Sequence, residues 1–229
     1  MTTRITGISS MATRALLAEL ARAYEQRAGV TVAIESVGGV DAARRVQDGE
    51  AFDLVVLASD AIDKLAAGGR VLAGSKVDLV HSGVAVAVPA GAPRPDIGSE
   101  AAVQRAVLAA GRIGYSTGPS GTALLKLFER WGISSQLQGR LGQARAGVPV
   151  GSLVAAGEVD LGFQQLAELI HLDGISIVGA LPPAIQIDTV FSAAVCAASR
   201  QPEATRALLA FMSSAEAAEA KRRQGVDPA

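Results

Sequence analysis

The sequence predicts an α/β protein built from two lobes. Strand-like and helix-like segments alternate in two separate series along the 229 residues. Two apolar runs, Val77–Val88 and Ile187–Ala198, are longer than most strands, and we interpret them as segments that cross from one lobe to the other. We therefore expect lobe 1 to comprise residues 1–80 and 190–229 and lobe 2 to comprise residues 81–189. The crossings are expected near 81–88 and 187–195.

The first lobe begins with a β-α-β-α-β-α series, which is typical of a parallel sheet with right-handed crossovers. Leucines at helical spacing and a closing Ala28-Gly29 predict the first helix. A continuous apolar run starting at Phe52 predicts a strand that is covered on both faces. The predicted strands are Thr3–Ile8, Val30–Glu35 and Phe52–Ala58, and the predicted helices are Met11–Arg27, Ala42–Gln47 and Ala61–Ala67.

The first crossing run is interrupted at His81-Ser-Gly83 and leads into a proline-rich loop, so we expect a broken strand at the lobe boundary. A second α/β series follows, and the return crossing leads to two helices that complete lobe 1. The remaining predicted strands span 112–115, 159–163, 175–178 and 187–198. The remaining predicted helices span 100–110, 123–131, 152–156, 164–170, 202–212 and 214–223.

Composition excludes several classes of function. The net charge is −1 with acids and bases mixed, so no basic stripe indicates nucleic acid as a partner. No apolar stretch reaches the length of a membrane span. The single cysteine, Cys196, lies in an apolar run and is predicted to be a buried, unreactive thiol. His81 and His171 lack partners at metal-ligand spacing, so we predict no metal and no other cofactor.

Three Gly/Ser/Thr-rich turns lie between a strand and a helix, where backbone amides and hydroxyls can hold an anion. The turn at Gly114–Thr122 is the richest in such groups. We expect the three turns to face one another across a cleft and to bind a small anionic ligand. The residues expected to contribute are Ser9, Ser10, Met11, Arg14, Ser36, Gly38, Gly39, Ser59, Thr117, Ser120, Gly121, Thr122, Val148, Gln164 and Gln165.

Each candidate also has a purely structural interpretation. Ser10 and Ser59 would serve as helix N-caps, and the hydroxyls at 117–122 could satisfy only their own turn. The glycine pair at 38–39 favours close approach of the backbone to a ligand, whereas Arg14 would either clamp a carboxylate or remain solvated. The glutamines at 164–165 follow the end of a strand, where open α/β sheets bind ligands. The valine at 148 is expected to shape the pocket wall.

Several short motifs occur in a fixed order along essentially the whole chain. They are Gly29-Val-Thr-Val32 with Ser36-Val-Gly38, Gly49-Glu-Ala-Phe-Asp53, Ser82-Gly-Val-Ala-Val-Ala-Val88, Gly157-Glu-Val-Asp-Leu-Gly-Phe163 and Phe211-Met-Ser-Ser-Ala-Glu216. In these motifs the chain resembles the type II solute-binding proteins of ABC transporters, in particular the molybdate-binding branch. The resemblance implies a two-lobed, periplasmic-binding-protein-like type II fold with two hinge crossings and an interlobe ligand cleft.

Two stretches depart from the pattern of that branch. Its molybdate binders typically carry Gly-Ser-Ser-Gly after the second strand and Gly-Ile-Val-Tyr at the late strand. This chain has Gly38-Gly-Val-Asp41 and Gly162-Phe-Gln-Gln165 there, so a hydroxyl is lost and Gln165 fills the tyrosine position. Tetrahedral oxyanions need several donors at fixed distances, so these departures argue against molybdate. An organic mono- to tricarboxylate fits better, since Gly39 leaves room for a larger ligand.

The resemblance leaves three functions open. The first is capture of a small oxyanion, preferably an organic carboxylate, by a binding protein that would serve an ABC permease if exported. The second is isomerisation of an unsaturated tricarboxylate, because aconitate isomerase is similar to this branch; such an enzyme needs one group that removes and returns a proton. The third is a cytoplasmic anion sensor. The absence of a nucleophile or metal motif favours binding over catalysis.

The N-terminus does not read as an export signal. The expected location is therefore periplasmic if such a signal has been removed and cytoplasmic otherwise. We expect a monomer whose partner is a small anionic ligand.

Overall fold

The computed structural model describes residues 3–229, which form two compact units. Unit 1 contains the chain through His81 together with Val190–Ala229, and unit 2 contains Ser82–Thr189. The strands are β1 (Arg4–Ser10), β2 (Thr31–Val37), β3 (Leu54–Ala58), β4 (Val77–Pro89), β5 (Ile113–Tyr115), β6 (Leu141–Gln143), β7 (Leu161–Gln165), β8 (Ile175–Ala180), β9 (Asp188–Val195) and β10 (Asp227–Pro228). The helices are α1 (Arg14–Ala28), α2 (Gly39–Gln47), α3 (Ser59–Ala67), α4 (Glu100–Ala109), α5 (Pro119–Arg130), α6 (Val150–Ala155), α7 (Leu166–Leu169), α8 (Pro202–Ser213) and α9 (Ala218–Arg223).

The sheet of unit 1 has the strand order β2-β1-β3-β9. β1 pairs in parallel with β2 and β3, whereas β9 runs antiparallel to β3. Every residue of β3 is buried, as the continuous apolar run predicted. Because parallel strands point their carboxyl ends in one direction, the helices that follow β1, β2 and β3 begin at one edge of the sheet.

The sheet of unit 2 has the order β4-β7-β5-β6, and β8 pairs with β4. β5 is parallel to both β6 and β7, while β7 and β8 are antiparallel to β4. Phe128 of α5 belongs to an apolar core that draws residues from β4, β5, β7, α4 and α5. The carboxyl ends of β5 and β7, at Tyr115 and Gln165, therefore lie at the same edge of this sheet. The predicted α/β fold class is confirmed.

The predicted break in β4 is wrong, since the strand continues through His81-Ser-Gly83. Gly83 does not interrupt the strand. Its lack of a side chain leaves room for the side chain of Gln186. A Cβ added at Gly83 would stand 3.0 Å from Nε2 of Gln186. The Gln186 side chain in turn accepts a hydrogen bond from the Val84 amide at 3.0 Å, and the same amide is 3.1 Å from the carbonyl of Ile187.

Other predicted boundaries are also wrong. Residues 164 and 165 were assigned to a helix but belong to β7, because they pair with Ala85 and Val84 of β4. Helices α2, α3 and α6 each begin two or three residues earlier than predicted, at Gly39, Ser59 and Val150. The short strands β6 and β10 were not predicted. Helices α2 and α3 therefore start at Gly39 and Ser59, which were expected to bind the ligand, and α6 starts two residues after the candidate Val148.

Asp53 joins three parts of unit 1. Its carboxylate accepts hydrogen bonds from the amide and hydroxyl of Thr6, at 2.8 and 3.0 Å, from the Ser199 hydroxyl at 2.8 Å and from the Arg200 amide at 3.2 Å. Burial raises the pKa of Asp53, but the four donors together outweigh that effect and hold the pKa below its usual value. These hydrogen bonds thus link the residue before β3 to β1 and to the chain after β9.

We expect Asp53→Asn to lower the free energy of unfolding by about 2 kcal/mol at neutral pH, because a donor replaces an acceptor oxygen and leaves buried donors unpaired. A carboxyl group with a lowered folded-state pKa stabilises the fold above its unfolded value, here near 3.8, and that stabilisation is lost as pH falls further. The difference between the variant and the wild type should therefore shrink in acid.

Urea denaturation at neutral pH and at several values below about 4 measures both effects. Asp173→Asn serves as the control, since Asp173 is exposed. An Asp53→Asn protein that unfolds like the control at neutral pH would contradict this account.

Candidate functional site

The ends of β1 and β2 bring together four of the predicted residues, here called the unit 1 cluster: Ser9, Ser10, Ser36 and Gly39. Ser9 and Ser36 are register partners on the two parallel strands, and their hydroxyls share a hydrogen bond of 2.8 Å. Ser10 lies beside the start of α2, because a Cβ added at Gly39 would stand 3.5 Å from the Ser10 Cβ. That is ordinary van der Waals contact, so packing alone does not require a glycine at position 39.

Ser10 carries a hydroxyl that is buried and, within residues 3–229, has no hydrogen-bond partner. The residue is 7% exposed. It precedes a short 3-10 turn, Met11–Thr13, but its side chain makes no capping hydrogen bond to that turn. Ser10 thus occupies the N-cap position, but its hydroxyl does not cap the turn. A buried hydroxyl without a partner reduces stability, and a bound ligand would supply the missing bond.

Arg14 and Ser36 line the same groove, which has a volume of about 570 Å³ and lies between α1 and β2. The β2 residues that line this groove are Val32, Ala33, Ile34 and Ser36. Arg22 and Glu25 of α1 line it as well. The exposed Arg14 thus borders the same open space as a residue of the unit 1 cluster, as a carboxylate clamp would require.

The other predicted residues of unit 1 lie where helices begin. Met11 opens the 3-10 turn, and Gly38 is the N-cap of α2. Ser59 is the first residue of α3, because Ala58 occupies the N-cap, so the cap interpretation of Ser59 is wrong. Neither α2 nor α3 has a side-chain cap. The amides of their first turns consequently lack helical acceptors and face the carboxyl edge of the sheet.

A second group of polar side chains, the unit 2 cluster, surrounds the start of α5: Ser116, Ser120, Gln165 and Thr189. The hydroxyls of Ser116 and Ser120 lie 3.0 Å apart, and Ser120 donates to Oε1 of Gln165 at 3.1 Å. The Gln165 amide nitrogen donates to the Thr189 hydroxyl at 3.5 Å. Ser116 and Thr189 were not among the candidates. Ser116 lies within the predicted turn, whereas no sequence signal places Thr189 near it.

Gly121 allows α5 to begin against the end of β5. A Cβ added at Gly121 would stand 1.9 Å from the carbonyl oxygen of Ser116. Thr117 and Thr122 are exposed, and the Thr122 amide already donates to the Gly118 carbonyl at 3.2 Å. The donors that remain in this turn are the first-turn amides of α5, next to the Thr117 hydroxyl.

The two neighbouring glutamines of β7 have different partners. Gln164 accepts hydrogen bonds from the amides of Val150 at 2.7 Å and Gly151 at 3.4 Å, and it donates to Oε2 of Glu168 at 2.7 Å. Both the oxygen and the nitrogen of its side-chain amide are thus hydrogen-bonded within unit 2. Gln165 is directed to the opposite face of the strand, where it joins the unit 2 cluster.

Two large apolar side chains among the described residues are exposed, and both stand beside candidate residues. Val40 follows Gly39 in α2 and is 71% exposed. Val148, itself a candidate, is 39% exposed and precedes α6, while its amide donates to the Arg145 carbonyl at 2.9 Å. Val148 therefore offers an apolar surface and not a free amide.

Across residues 3–229, no three His, Cys, Asp or Glu side chains are grouped to hold a metal ion. None of the helices in this range is long and apolar enough to cross a membrane. Cys196 is buried, and desolvation together with the nearby Asp53 charge raises the pKa of its thiol to about 12. The prediction of a buried thiol is confirmed.

Residues 5–227 match the family model of the bacterial extracellular solute-binding proteins. The chain belongs to this family. The match covers both units, so the solute-binding fold that the short motifs predicted is confirmed.

Individual members and structures extend this result. A Pseudomonas relative named aconitate isomerase is 39% identical over 232 residues, which cover 99% of this chain and 88% of the relative. The periplasmic molybdate-binding protein of Azotobacter vinelandii matches with a TM-score of 0.82 at 21% identity, over 97% of this chain and 98% of that chain. A sulfate-binding protein from Mycobacterium tuberculosis gives a TM-score of 0.74 at 18% identity, over 99% of this chain and 87% of that chain. At these identities the two structures establish the solute-binding fold alone.

We expect Gly121→Ala to destabilise this solute-binding protein by about 1–3 kcal/mol, the usual effect of overpacking, because the new methyl group would overlap the Ser116 carbonyl. Gly118→Ala is the matched control, since a Cβ there would be 3.8 Å from the Ser116 hydroxyl oxygen. Thermal unfolding followed by circular dichroism measures the difference. Equal melting temperatures for the two variants would show that α5 does not depend on the close approach at Gly121.

Proposed function

We propose that this protein binds a small organic anion with more than one carboxylate. The observation that carries the proposal is the unpartnered hydroxyl of Ser10, which lies beside Gly39, the residue before the exposed Val40. A hydroxyl and first-turn amides suit a carboxylate group, and an exposed valine suits a carbon skeleton.

The polar contacts of unit 2 favour a carboxylate over a tetrahedral oxyanion. The hydroxyl of Ser120 already donates to Gln165, so this pair offers fewer free donors than a serine and a tyrosine would. Tetrahedral oxyanions are held by several donors at closely set distances. The Gln165 amide can still donate to one carboxylate oxygen, and Arg14, which lines the same groove as Ser36, would provide a positive charge.

The relatives support the same class of ligand. Aconitate is a tricarboxylate, and the relative with that name is similar over 99% of this chain. Membership in an extracellular solute-binding family supports a location outside the cytoplasmic membrane and an ABC permease as partner.

A second candidate function is isomerisation of an unsaturated tricarboxylate in the same site. The observation that favours it is the 39% identity to aconitate isomerase. The reaction moves a double bond by an allylic proton shift, which needs carboxylate-binding groups and one group that exchanges a proton.

We expect di- and tricarboxylates to raise the melting temperature of the protein more than molybdate or sulfate does. A ligand stabilises the folded state by mass action, by about 2.7 kcal/mol at 100 times its Kd. Thermal unfolding with molybdate, sulfate, succinate, citrate, cis-aconitate and trans-aconitate, each at the same concentration, makes the comparison. A dominant shift with molybdate would refute the carboxylate proposal.

We expect Ser10→Ala to weaken binding of the best ligand by about 10- to 100-fold, because a hydrogen bond to a charged group contributes about 1.5–3 kcal/mol. The ligand-free variant should be at least as stable as the wild type, since the Ser10 hydroxyl is buried and makes no hydrogen bond inside the described chain. Isothermal titration calorimetry measures the affinity.

Ser82→Ala provides the matched control. The Ser82 hydroxyl is likewise buried without a partner among residues 3–229, and the residue has no exposed surface. This variant should bind like the wild type. If Ser10→Ala also binds like the wild type, Ser10 does not contact the ligand.

A further inference from the structure

β2 is the edge strand of the unit 1 sheet. It pairs with β1 on one side, and among residues 3–229 no strand pairs with its other side. The Thr31 amide donates to the Thr3 carbonyl at 2.9 Å, so the backbone groups of the odd-numbered residues of β2 face β1. Those of the even-numbered residues therefore face the open edge. The Val32 amide shows this direction directly, since it donates to Oε1 of Glu25 at 2.7 Å and not to a strand.

Glu25 covers only one end of this edge. The backbone groups of Ile34 and the amide of Ser36 also face outward, and they have no hydrogen-bond partner within the described chain. Unpaired backbone groups along a sheet edge are a template on which another extended segment can add as a strand. The open edge therefore runs from Ile34 to Ser36.

This edge borders the groove between α1 and β2. The α1 residues that line the groove recur at intervals of three or four, so they occupy one face of the helix. They are Arg14, Leu17, Ala18, Ala21, Arg22 and Glu25. Ala18 and Ala21 carry small side chains, which leave room beside the strand, and Ile34 lines the same space from β2. The middle of the groove is thus apolar and the arginines lie to either side of it.

The positive charge of the groove is not balanced. Arg14 and Arg22 are exposed, and neither forms an ion pair within residues 3–229. The Arg22 side chain donates to the Ala18 carbonyl at 3.0 Å, which leaves its charge uncompensated. Glu25 also lines the groove, but its carboxylate already accepts the bond from Val32. Charge complementarity therefore favours an acidic occupant.

The spacing of the two arginines matches that of an extended chain. Arg22 follows Arg14 by eight residues in α1, which corresponds to about 12 Å along the helix axis. Four residues of a strand span about 13 Å, and strand residues four apart point to the same face. A strand laid beside β2 would therefore meet the arginines with acids at positions i and i+4. An apolar residue at i+2 would meet Ala18 and Ala21.

We propose that this edge of unit 1 binds an extended acidic segment of a partner protein, which adds to the sheet as a strand beside β2. Backbone hydrogen bonds to Ile34 and Ser36 provide affinity, and the acid-x-apolar-x-acid pattern provides selectivity. The pattern is the same in both directions, so parallel and antiparallel addition both satisfy it. A second copy of this chain fits less well, because pairing two β2 strands would bring the arginines of both α1 helices together.

The test uses the full chain and a peptide with blocked ends, Thr-Glu-Thr-Val-Thr-Glu-Thr, which carries the proposed pattern. The control peptide, Thr-Thr-Glu-Val-Glu-Thr-Thr, has the same composition and charge but places its acids on the face opposite the valine. Fluorescence anisotropy of dye-labelled peptides measures affinity, and amide hydrogen exchange followed by NMR locates the peptide. We expect the patterned peptide to bind about 10-fold more tightly than the control and to slow exchange at Ile34 and Ser36.

Arg22→Gln tests the charge of the groove. We expect this variant to bind the patterned peptide about 5-fold more weakly than the wild type. Arg22 is used because Arg14 is a candidate contact of the small ligand. The thermal shifts produced by di- and tricarboxylates should therefore be unchanged in Arg22→Gln. Arg206→Gln is the matched control, since Arg206 is an exposed arginine of α8 outside the groove, and it should bind the peptide like the wild type.

Several results would overturn the proposal. Equal binding of the two peptides would show general charge attraction, and binding without protection of Ile34 and Ser36 would place the peptide elsewhere. Absence of binding would remove the acidic segment as an occupant. Protection of these amides that rises with protein concentration, without peptide, would show that a second copy covers the edge. All of these results are independent of whether the protein binds a small carboxylate.

Discussion

Parallel strand pairing determines where the chemistry of each unit is located. In unit 1 the register between β1 and β2 sets Ser9 opposite Ser36 and carries the chain on to Ser10 and the start of α2. In unit 2 the pairing of β5 with β7 brings the ends of two distant segments to one edge, where α5 begins. Hydroxyls and helix amides therefore lie together at one edge of the sheet in each unit.

Small residues make this convergence possible in unit 2. Gly114 and Gly162 are register partners on β5 and β7, and a Cβ at either position would collide with a valine of α6, at 2.8 Å from Val150 or 2.5 Å from Val154. Helix α6 consequently lies directly on the two strands. Its first amides reach Gln164, which links them to the carboxyl group of Glu168. These two glycines thus position the polar network of Gln164.

The fold could be predicted from the sequence because its strongest signals are local. The apolar run of β3 and the helical spacing of leucines in α1 depend only on neighbouring residues. The Ser-Gly sequence in β4 was misleading, since a glycine that ends a strand resembles one that makes room for a distant side chain, here Gln186. The family resemblance gave the solute-binding fold as a whole.

The candidate site could be predicted only in outline. Gly/Ser/Thr-rich turns indicate where an anion could bind, but the partners of each hydroxyl come from other parts of the chain. The sequence is compatible with two roles for Ser10, helix N-cap and ligand contact, and does not separate them. Only the folded structure shows that its hydroxyl has no hydrogen-bond partner among the described residues. Thr189 was missed for the same reason, since its contact with Gln165 depends on residues brought together by folding.

The contacts of Asp53 also bear on the order in which the chain folds during synthesis. Unit 2 is one continuous segment, so all of its residues are available once Thr189 has been made. Unit 1 requires its first strands to pair with β9 and to share Asp53 with Ser199 and Arg200. Because domains fold as their residues emerge from the ribosome, the unit begun first is completed last. Until β9 has been made, the edge of β3 that it will cover stays unpaired and open to misassembly.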